Sequence, residues 1–470
     1  MKKNMNKKLF TIIWTVALSF GISLAIFAQA PATNDKLTAT FDAELAKVFK
    51  PNEPGAAAIV VKDGQVIFRK GYGMANLELG VAIAPDHIFR IGSITKQFTA
   101  VSILMLMEQS KLALTDEITK FLPDYPMQGH KITVEHLLTH TSGIVSYTGL
   151  PEWPPLWRKD LTMVELIDLF KNKPMEFAPG EQWKYNNSAY VLLGAIIEKA
   201  SGMKYGDFVE QKIFAPLGMT SSFYDNTKRI IPRRAAGYDK DGAHYVNAEY
   251  LSMSHPHAAG SLMSTVDDLA KWDAALYTEK LVKQSSLQRA WTSYVLKSGK
   301  PTDYGYGWSV AQLEGMQMLT HGGGIHGFTC DAVRLPEMRV YVAILTNRGG
   351  GVGNLTKKFA VLASGKEWHE PAPPKPADAK AAVALSETVL ERYVGEYQLA
   401  PNFIITVTHE GAKLFGQATG QQRFELTPES ETKFAIAVVS AQIEFTVEND
   451  KATQLTLFQG GQVVPGKKIK

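Results

Sequence analysis

A mostly apolar run at residues 94–107 most constrains how this chain can fold. The run is apolar on most sides, and a helix of that kind must lie inside a large core. Four of its residues recur at helical spacing: Ile94, Phe98, Val101 and Met105. The sequence therefore predicts a buried helix over residues 93–109.

The predicted helix begins with the pattern Ser93-x-x-Lys96. Residues three apart share a helix face with their Cβ atoms about 5–6 Å apart, so the lysine amine can reach the serine hydroxyl. Desolvation and the positive helix N-terminus both disfavour an ammonium at Lys96, which can then be a neutral base near pH 7. Ser93 is thus a candidate nucleophile. The alternative is a capping serine followed by a solvated lysine, because Ser-x-x-Lys also arises by chance.

The length of 470 residues predicts about two domains of unequal size. The first eight residues are basic, an apolar run follows at 9–27, and residues 28–30 are the small types that a signal peptidase reads. We predict a signal peptide at 1–30 that is cleaved after Ala30, which leaves a periplasmic or secreted protein without stable membrane insertion. The alternative is an uncleaved anchor, since the run approaches the length of a membrane span.

Charge and cysteine content argue against a nucleic-acid-binding protein and against a protein stabilised by disulfides. The net charge of +4 equals the four lysines of the leader, so the mature chain is near neutral and a nucleic-acid partner is not expected. Cys330 is the single cysteine, which excludes an internal disulfide. A folded core, with Cys330 packed in a predicted strand, is therefore expected to stabilise the protein.

Two hairpins far apart in the chain indicate the fold class. β-rich runs flank Asp63-Gly64, and a second pair flanks residues 336–339. Between them most segments have a helical period, for example 163–171, 189–201 and the run after the capping pattern at 264–268. This order predicts an α+β fold, with an antiparallel sheet flanked by helices and joined to a helical subdomain. The cleft between sheet and subdomain is the expected active site.

The C-terminal part has a different pattern. Residues 369–382 are rich in proline and alanine and predict an extended linker between a domain at 31–368 and one at 383–470. The last domain alternates apolar and polar residues between turn signals, which predicts a small all-β meander or barrel. It carries no cluster of catalytic residue types, so we expect it to pack against the first domain or to shape the substrate site.

A Tyr-x-Asn pattern precedes the predicted helix at 189–201. The pKa of Tyr185 would ordinarily be near 10, and a Lys96 cation beside it would lower that pKa, so the two groups are expected to titrate together. The amide of Asn187 can contact both a substrate carbonyl and the lysine. Alternatively, Asn186 or Asn187 caps the helix and Tyr185 is a packing aromatic residue.

Three successive glycines follow His321 and lead into a strand. Glycine lets a substrate approach the backbone, and the main-chain N–H of Gly324 can pair with that of Ser93 as an oxyanion hole. Gly323 belongs to the same substrate-binding loop. His321 can contact a substrate carboxylate or donate a hydrogen bond toward the tyrosine and lysine pair. A phosphate-binding role is disfavoured because no Gly-Lys-Ser/Thr and no following helix are present.

Together these motifs resemble those of the serine β-lactamase and penicillin-binding-protein superfamily. The resemblance is to its class C-like branch, which includes D-aminopeptidases, D-alanyl-D-alanine carboxypeptidases and esterases. Residues 93–96 match the first motif, 185–187 the Tyr-x-Asn motif and 321–323 the His-x-Gly form of the third. Supporting matches lie at 136–143, 179–183, 216–219 and 258–265, and the resemblance covers about residues 38–365. The C-terminal domain resembles the lipocalin-like domain of many such hydrolases.

The resemblance implies an exported serine hydrolase that cleaves an amide or ester through an acyl-enzyme. The expected substrates are D-amino-acid-containing peptides or small esters, and no cofactor or metal is expected. The catalytic residues that it implies are Ser93, Lys96 and Tyr185. The implied substrate-binding residues are Asn187, His321, Gly323 and Gly324.

One departure and three alternatives qualify this prediction. His321 stands where class C β-lactamases carry Lys-Thr-Gly, and a neutral histidine holds a carboxylate less firmly than lysine, which argues against antibiotic hydrolysis. A class C-like β-lactamase is one alternative, and a non-catalytic penicillin-binding or sensor protein is another, although binding alone would not require Lys96. The third is metal-dependent hydrolysis through His136 and His140, four residues apart, but a HExxH pattern is absent. The resemblance instead implies a structural role for that stretch, with His140 near the cleft.

Overall fold

An antiparallel sheet of six strands is the centre of the first part of the protein. The computed structural model describes residues 33–226, 228–242, 244–370, 385–400, 403–419, 423–436, 441–459 and 462–470. In spatial order the strands are Ser309–Leu313, Met316–Ile325, Phe328–Leu335, Val340–Thr346, Ala56–Lys62 and Gln65–Tyr72. The two predicted hairpins therefore meet in the middle of the sheet, where Ala56 pairs with Thr346 and Lys62 with Val340.

Both faces of this sheet are covered. Side chains alternate along a strand, so Ala57 and Ile59 join the larger core beneath the helical subdomain, whereas Ala58 and Val60 join a second core. Helices from the two ends of the domain, Thr33–Val48 and Leu355–Ala363, cover that second face. A strand buried on both faces is apolar without alternation, which explains why the strand Ala56–Lys62 is apolar at every position but its last.

The remaining elements lie mainly between the two hairpins. The further helices are Thr95–Glu108, Val134–Leu138, Met163–Asp168, Asn187–Ser201, Tyr205–Val209, Ala215–Leu217, His257–Gly260, Val266–Ala275, Gln284–Ala290 and Glu387–Leu390. Short 3₁₀ turns are Gly92–Ile94, Ile118–Lys120, Tyr147–Gly149, Pro154–Leu156 and Glu391–Tyr393, and Glu210–Phe214 is a π-helical turn. Small antiparallel sheets pair Met74–Asn76 with Val81–Ala82, Tyr238–Asp241 with His244–Asn247, and Leu262–Ser264 with both Phe89–Arg90 and Phe223–Tyr224.

The helix Thr95–Glu108, called the serine helix below, runs through the larger core. It packs against the helices Asn187–Ser201 and His257–Gly260, which both carry groups of the site described below. Phe98 stacks on Trp272 with 4.2 Å between ring centroids. The predicted burial of this helix is confirmed, since most of its residues are inaccessible to solvent.

The C-terminal part is a closed barrel of eight antiparallel strands, so the expected all-β fold takes its barrel form. Its strands are Gly395–Ala400, Phe403–Glu410, Lys413–Ala418, Phe424–Pro428, Lys433–Ile436, Ala441–Glu448, Lys451–Gln459 and Gln462–Lys468. The barrel has its own core, in which Tyr393, Phe434 and Phe445 pack ring against ring. The last strand contacts the turn Tyr147–Gly149 of the first part.

Two predicted segments lie outside the described residues. These are the signal peptide at 1–30 and most of the linker at 369–382, of which residues 369 and 370 are described. Within the described part of the chain, every helix is too short or too polar to cross a membrane. The α+β class, with its helix-flanked antiparallel sheet and added β domain, is confirmed.

Candidate active site

Ser93 lies in the 3₁₀ turn Gly92–Ile94, directly before the serine helix. The N-cap residue of the helix is Ile94, and no side chain caps the helix, so the Ser93 hydroxyl is not a cap. Ser93 is half-buried, and Lys96, one turn later, is fully buried. The alternative of a capping serine and a solvated lysine is therefore wrong.

The Lys96 amine meets three oxygen atoms. Its Nζ lies 3.1 Å from Ser93 Oγ, 2.8 Å from Asn187 Oδ1 and 2.9 Å from the main-chain oxygen of Ala259. The rings of Tyr185 and Tyr190 enclose the same nitrogen, with centroids 4.7 Å and 5.3 Å away. Residues 93–96, 185–190 and 259 are far apart in sequence and thus converge on this amine.

Burial determines the protonation state of this amine. Desolvation holds the pKa of Lys96 well below its ordinary value, which favours the neutral form of the amine. A neutral amine has two N–H donors and one lone pair. The oxygens of Asn187 and Ala259 can only accept, so they take the two N–H groups. The lone pair is then left for the hydroxyl proton of Ser93, which is the arrangement that activates a nucleophile.

Tyr185 lies beside this pair, but its acidity differs from the prediction. Burial raises the pKa of the Tyr185 phenol, and the smaller effect of the nearby Ser93 hydroxyl, which lowers it, does not reverse the change. The expected lowering of that pKa by a Lys96 cation is wrong, because the same burial removes the cation. The phenol oxygen is buried and has no hydrogen-bond partner within the described residues. Tyr185 is therefore a neutral proton donor and not a phenolate base.

The glycines after His321 bring the strand Met316–Ile325 against the serine turn. A Cβ atom on Gly323 would lie 2.0 Å from the Ile91 oxygen and 3.2 Å from the Ser93 nitrogen. A Cβ atom on Gly92 would lie 2.9 Å from the Gly324 nitrogen. The main-chain nitrogens of Ser93 and Gly324 are thus neighbours, as an oxyanion hole requires. Gly323 is buried at this crossing, whereas Gly324 is exposed to the cleft.

His321 is held by two internal hydrogen bonds. Its Nδ1 donates to the Gly322 oxygen at 2.6 Å, and its Nε2 accepts from the Tyr304 hydroxyl at 2.9 Å. Burial and the neighbouring Lys96 lower the pKa of His321 to about 3, so the ring is neutral near pH 7. With both ring nitrogens occupied and no charge, His321 in this arrangement offers no cation to a substrate carboxylate.

The two asparagines of the Tyr-x-Asn pattern have separate roles. Asn186 is the N-cap of the helix Asn187–Ser201, and its Oδ1 accepts from the Ala189 N–H at 2.9 Å. Asn187 begins the helix and points to the lysine, while its Nδ2 donates to Thr148 Oγ1 at 3.2 Å. The capping alternative therefore describes Asn186, and Asn187 belongs to the site.

His136 and His140 do not form a metal pair. Nδ1 of His136 accepts from the Thr133 N–H at 3.2 Å, and Nδ1 of His140 accepts from the Asn186 N–H at 3.1 Å. Each ring therefore serves a different main-chain amide. Within the described ranges, no group of three or more histidine, cysteine or acidic side chains is placed to hold a metal ion.

The Ala259 oxygen and Tyr304 are among the groups of the site that were not identified from sequence. The Ala259 oxygen is a main-chain atom, so no residue type marks it. Tyr304, the partner of His321, lies in the stretch Tyr-Gly-Tyr-Gly-Trp. The clustering of tyrosines and glycines there was the sequence feature that could have indicated a part of the site.

Comparisons with known proteins agree with this geometry. A family model described as Beta-lactamase matches residues 35–365, and one described as a domain of unknown function, DUF3471, matches residues 379–467. The chain is 31% identical over 425 residues to Penicillin-binding protein 4* of Bacillus subtilis (strain 168). That alignment covers 86% of this chain and 92% of the relative.

Solved structures show the same likeness. The octameric penicillin-binding protein homologue from Pyrococcus abyssi is 28% identical with a TM-score of 0.64, over 92% of this chain and 99% of that chain. A D-stereospecific amidohydrolase from Streptomyces sp. is 28% identical with a TM-score of 0.58, over 69% of this chain and 98% of that chain. The likeness thus includes both a penicillin-binding protein homologue and an amidohydrolase.

Proposed function

The chain belongs to the serine β-lactamase and penicillin-binding-protein family, and on that premise we propose that it hydrolyses an amide or ester through an acyl-enzyme on Ser93. The observation that carries the proposal is the set of contacts at the Lys96 amine. When the amine is neutral, the oxygens of Asn187 and Ala259 accept both of its N–H groups, which leaves its lone pair for the Ser93 hydroxyl 3.1 Å away. A purely binding protein would have no use for a lysine held neutral in this way.

The acylation step follows from these positions. Ser93 Oγ attacks the substrate carbonyl carbon while its proton passes to Lys96 Nζ, and the N–H groups of Ser93 and Gly324 hold the oxygen anion. When the tetrahedral intermediate collapses, the leaving nitrogen or oxygen takes the proton of the Tyr185 phenol. Lys96 then returns its proton to Tyr185. Water repeats the sequence on the ester and releases the acid, so no proton is gained or lost by the enzyme over one cycle.

We propose a D-amino-acid amide or peptide as the substrate, with a small ester as the simpler variant. The support is the likeness to a D-stereospecific amidohydrolase together with the state of His321. Because His321 is neutral and both of its nitrogens are occupied, the third motif lacks the cation that a substrate with a free carboxylate would need. An uncharged amide or ester suits this site better than a β-lactam antibiotic.

The nucleophile is tested with a fluorophosphonate probe and intact-mass measurement. The wild-type protein should gain one adduct, and Ser93→Ala should gain none, because the probe reacts only with an activated hydroxyl. Ser102→Ala is the matched control, since Ser102 is buried in the same helix and only donates to the Phe98 oxygen at 2.8 Å. Equal labelling of Ser93→Ala and wild type would remove Ser93 as the nucleophile.

The substrate class is tested with a panel of D-amino-acid amides, D-alanyl peptides, a p-nitrophenyl ester and a chromogenic cephalosporin. We expect turnover of the amides and the ester and little turnover of the cephalosporin. Preferred hydrolysis of the cephalosporin would establish the β-lactamase alternative. A stable adduct with no product from any member of the panel would establish the non-catalytic sensor. Activity that disappears with EDTA would establish metal-dependent hydrolysis.

We further propose that the protein is exported and acts in the periplasm or outside the cell. The support is the basic start, the apolar run at 9–27 and the small residues that end at Ala30. N-terminal sequencing of the protein recovered from cell fractions should give Pro31 as the first residue. A protein that retains residues 1–30 in the membrane fraction would establish the anchor instead.

A further inference from the structure

We propose that His140 is a positioning residue that holds Tyr185 beside Ser93, an inference that rests on the function proposed above. His140 is fully buried and its ring packs against that of Tyr185, in the segment that follows the short helix Val134–Leu138. It touches neither Ser93 nor Lys96 through a hydrogen bond. Its action on the reaction would therefore pass through Tyr185.

The first observation is that His140 binds the chain on both sides of Tyr185. The main-chain oxygen of His140 accepts from the Lys184 N–H at 3.0 Å, and its ring Nδ1 accepts from the Asn186 N–H at 3.1 Å. Residues 184 and 186 are the immediate neighbours of the tyrosine. One residue thus fixes the backbone from which the phenol projects, at two points.

The second observation is the packing of the ring. The centroid of the His140 imidazole lies 4.4 Å from that of Tyr185, 4.7 Å from that of Tyr304 and 5.1 Å from that of Tyr190. Tyr185 therefore rests on a surface that other aromatic rings hold in place. A change in the imidazole would move the Tyr185 ring as well as its backbone.

The third observation is that the reactive end of Tyr185 is weakly held. Its phenol oxygen makes no hydrogen bond of ordinary geometry in the described part of the chain, and its neighbour there is the half-buried Ser93 hydroxyl, so little at the phenol corrects a shift of the backbone. A displacement of about 1 Å in a group that takes part in the chemistry can cost about 100-fold in rate. The position of this proton donor consequently depends on the contacts that His140 supplies.

The fourth observation concerns the conformation and protonation of His140. Its φ of 59° lies in the left-handed region, which is unfavourable for a residue with a side chain. With Nδ1 as an acceptor, the ring proton is on Nε2, and that nitrogen is buried without a partner within the described residues. Burial, Lys96 and His321 all lower the pKa of His140, so the ring stays neutral. A ring that stays neutral and packs against Tyr185 acts on the reaction through its position and not through a change of charge.

The test compares two variants that treat the left-handed conformation alike. His140→Asn keeps an acceptor near the place of Nδ1, and asparagine tolerates positive φ. His140→Gly also accepts that conformation but removes the acceptor and the ring. We measure acylation of Ser93 in single turnover with a p-nitroanilide, whose leaving nitrogen needs a proton, and with a p-nitrophenyl ester, whose leaving oxygen does not.

We expect His140→Gly to slow the anilide about 100-fold, the ester much less, and to leave KM near that of wild type. Tyr185→Phe should show the same imbalance between the two leaving groups, and His140→Asn should recover most of the lost anilide rate. His255→Asn is the control, because His255 is equally buried but its Nδ1 accepts from Trp153 Nε1 at 2.9 Å. That control should change thermal stability without changing the ratio of the two rates.

Two results would overturn the inference. One is equal anilide rates for His140→Asn and His140→Gly, and the other is an equal loss on both leaving groups. If either variant does not fold, the imidazole ¹⁵N shifts of His140 in the wild type decide, since a proton on Nδ1 would exclude the bond to Asn186. Absence of a Ser93 adduct in the wild type would instead refute the proposed function, so the two failures are distinguishable.

Discussion

The closest backbone approach in the site makes Gly323→Ala the most informative substitution. Neither Gly323 nor its neighbours in the glycine run have a positive φ, so alanine brings no conformational penalty of its own there. Its Cβ atom would lie 2.0 Å from the Ile91 oxygen, about 1.4 Å short of an ordinary 3.4 Å contact. That oxygen belongs to the main chain, so no side chain can rotate away, and the strand and the serine turn must separate.

The size of the effect follows from what this separation does to the oxyanion hole. The nitrogens of Ser93 and Gly324 can hold one oxygen only while the two backbones stay at this spacing. Misplacement by about 1 Å, or loss of one such donor, costs about 100-fold to 1,000-fold in kcat, which is about 3–4 kcal/mol. Overpacking of the core costs the fold about 1–3 kcal/mol, so the variant should still fold.

The assay is turnover of the best substrate from the panel, with thermal melting as a check on folding. Gly322→Ala is the matched control one residue earlier, where the nearest atoms to a new Cβ are 3.6 Å and 3.8 Å away. We expect Gly322→Ala to stay close to wild type in kcat and Gly323→Ala to lose about two to three orders of magnitude. A folded Gly323→Ala variant as active as Gly322→Ala would refute the assignment of this crossing as the oxyanion hole.

Four further outcomes follow from the same contacts. Since the active form of Lys96 is neutral and burial lowers its pKa, kcat/KM should fall as the pH drops through that lowered pKa, so the acid limb should lie well below the range in which an ordinary lysine titrates. Asn187→Asp would place a carboxylate where an amide oxygen now lies 2.8 Å from the amine, which should raise the lysine pKa and move this acid limb of the pH profile upward. Asp273→Ala should lower the free energy of unfolding by about 3–5 kcal/mol in urea, because it leaves the buried Arg334 guanidinium without its partner at 2.8 Å. Asn347→Ala should cost about 3 kcal/mol in the same measurement, because four main-chain groups lose the buried amide that joins them.

Local patterns in the sequence were sufficient for much of the fold. The Asp63-Gly64 turn, with φ of 50° and 76°, joins two strands as predicted, because few other dipeptides adopt that conformation. The helix predicted at 189–201 is observed as Asn187–Ser201 and ends at Gly202 in the left-handed conformation. The helix predicted at 163–171 is shorter and ends at Asp168, since its last residues form turns instead.

The parts of the site that sequence reasoning missed depend on tertiary packing. The Ala259 oxygen contacts Lys96 only because the helix His257–Gly260 packs on the serine helix. The pKa of Tyr185 was predicted in the wrong direction because a sequence shows the neighbouring lysine but not the burial that neutralises it. Burial is a sum over many distant residues, whereas a motif records only spacing along the chain.

Burial and repulsion between neighbouring cations explain how this site keeps Lys96 neutral, and therefore basic, without a carboxylate beside it. Lys96, His140 and His321 are close enough that a proton on one lowers the pKa of the others, and burial opposes a charge on any of them. Tyr185 keeps its proton for the same reason. The strongest interactions left to the amine are therefore with uncharged acceptors, an amide oxygen and a main-chain oxygen, which orient the amine without fixing a charge on it. A carboxylate in either place would hold the ammonium form, so the absence of charge around Lys96 is what makes it available to the serine proton.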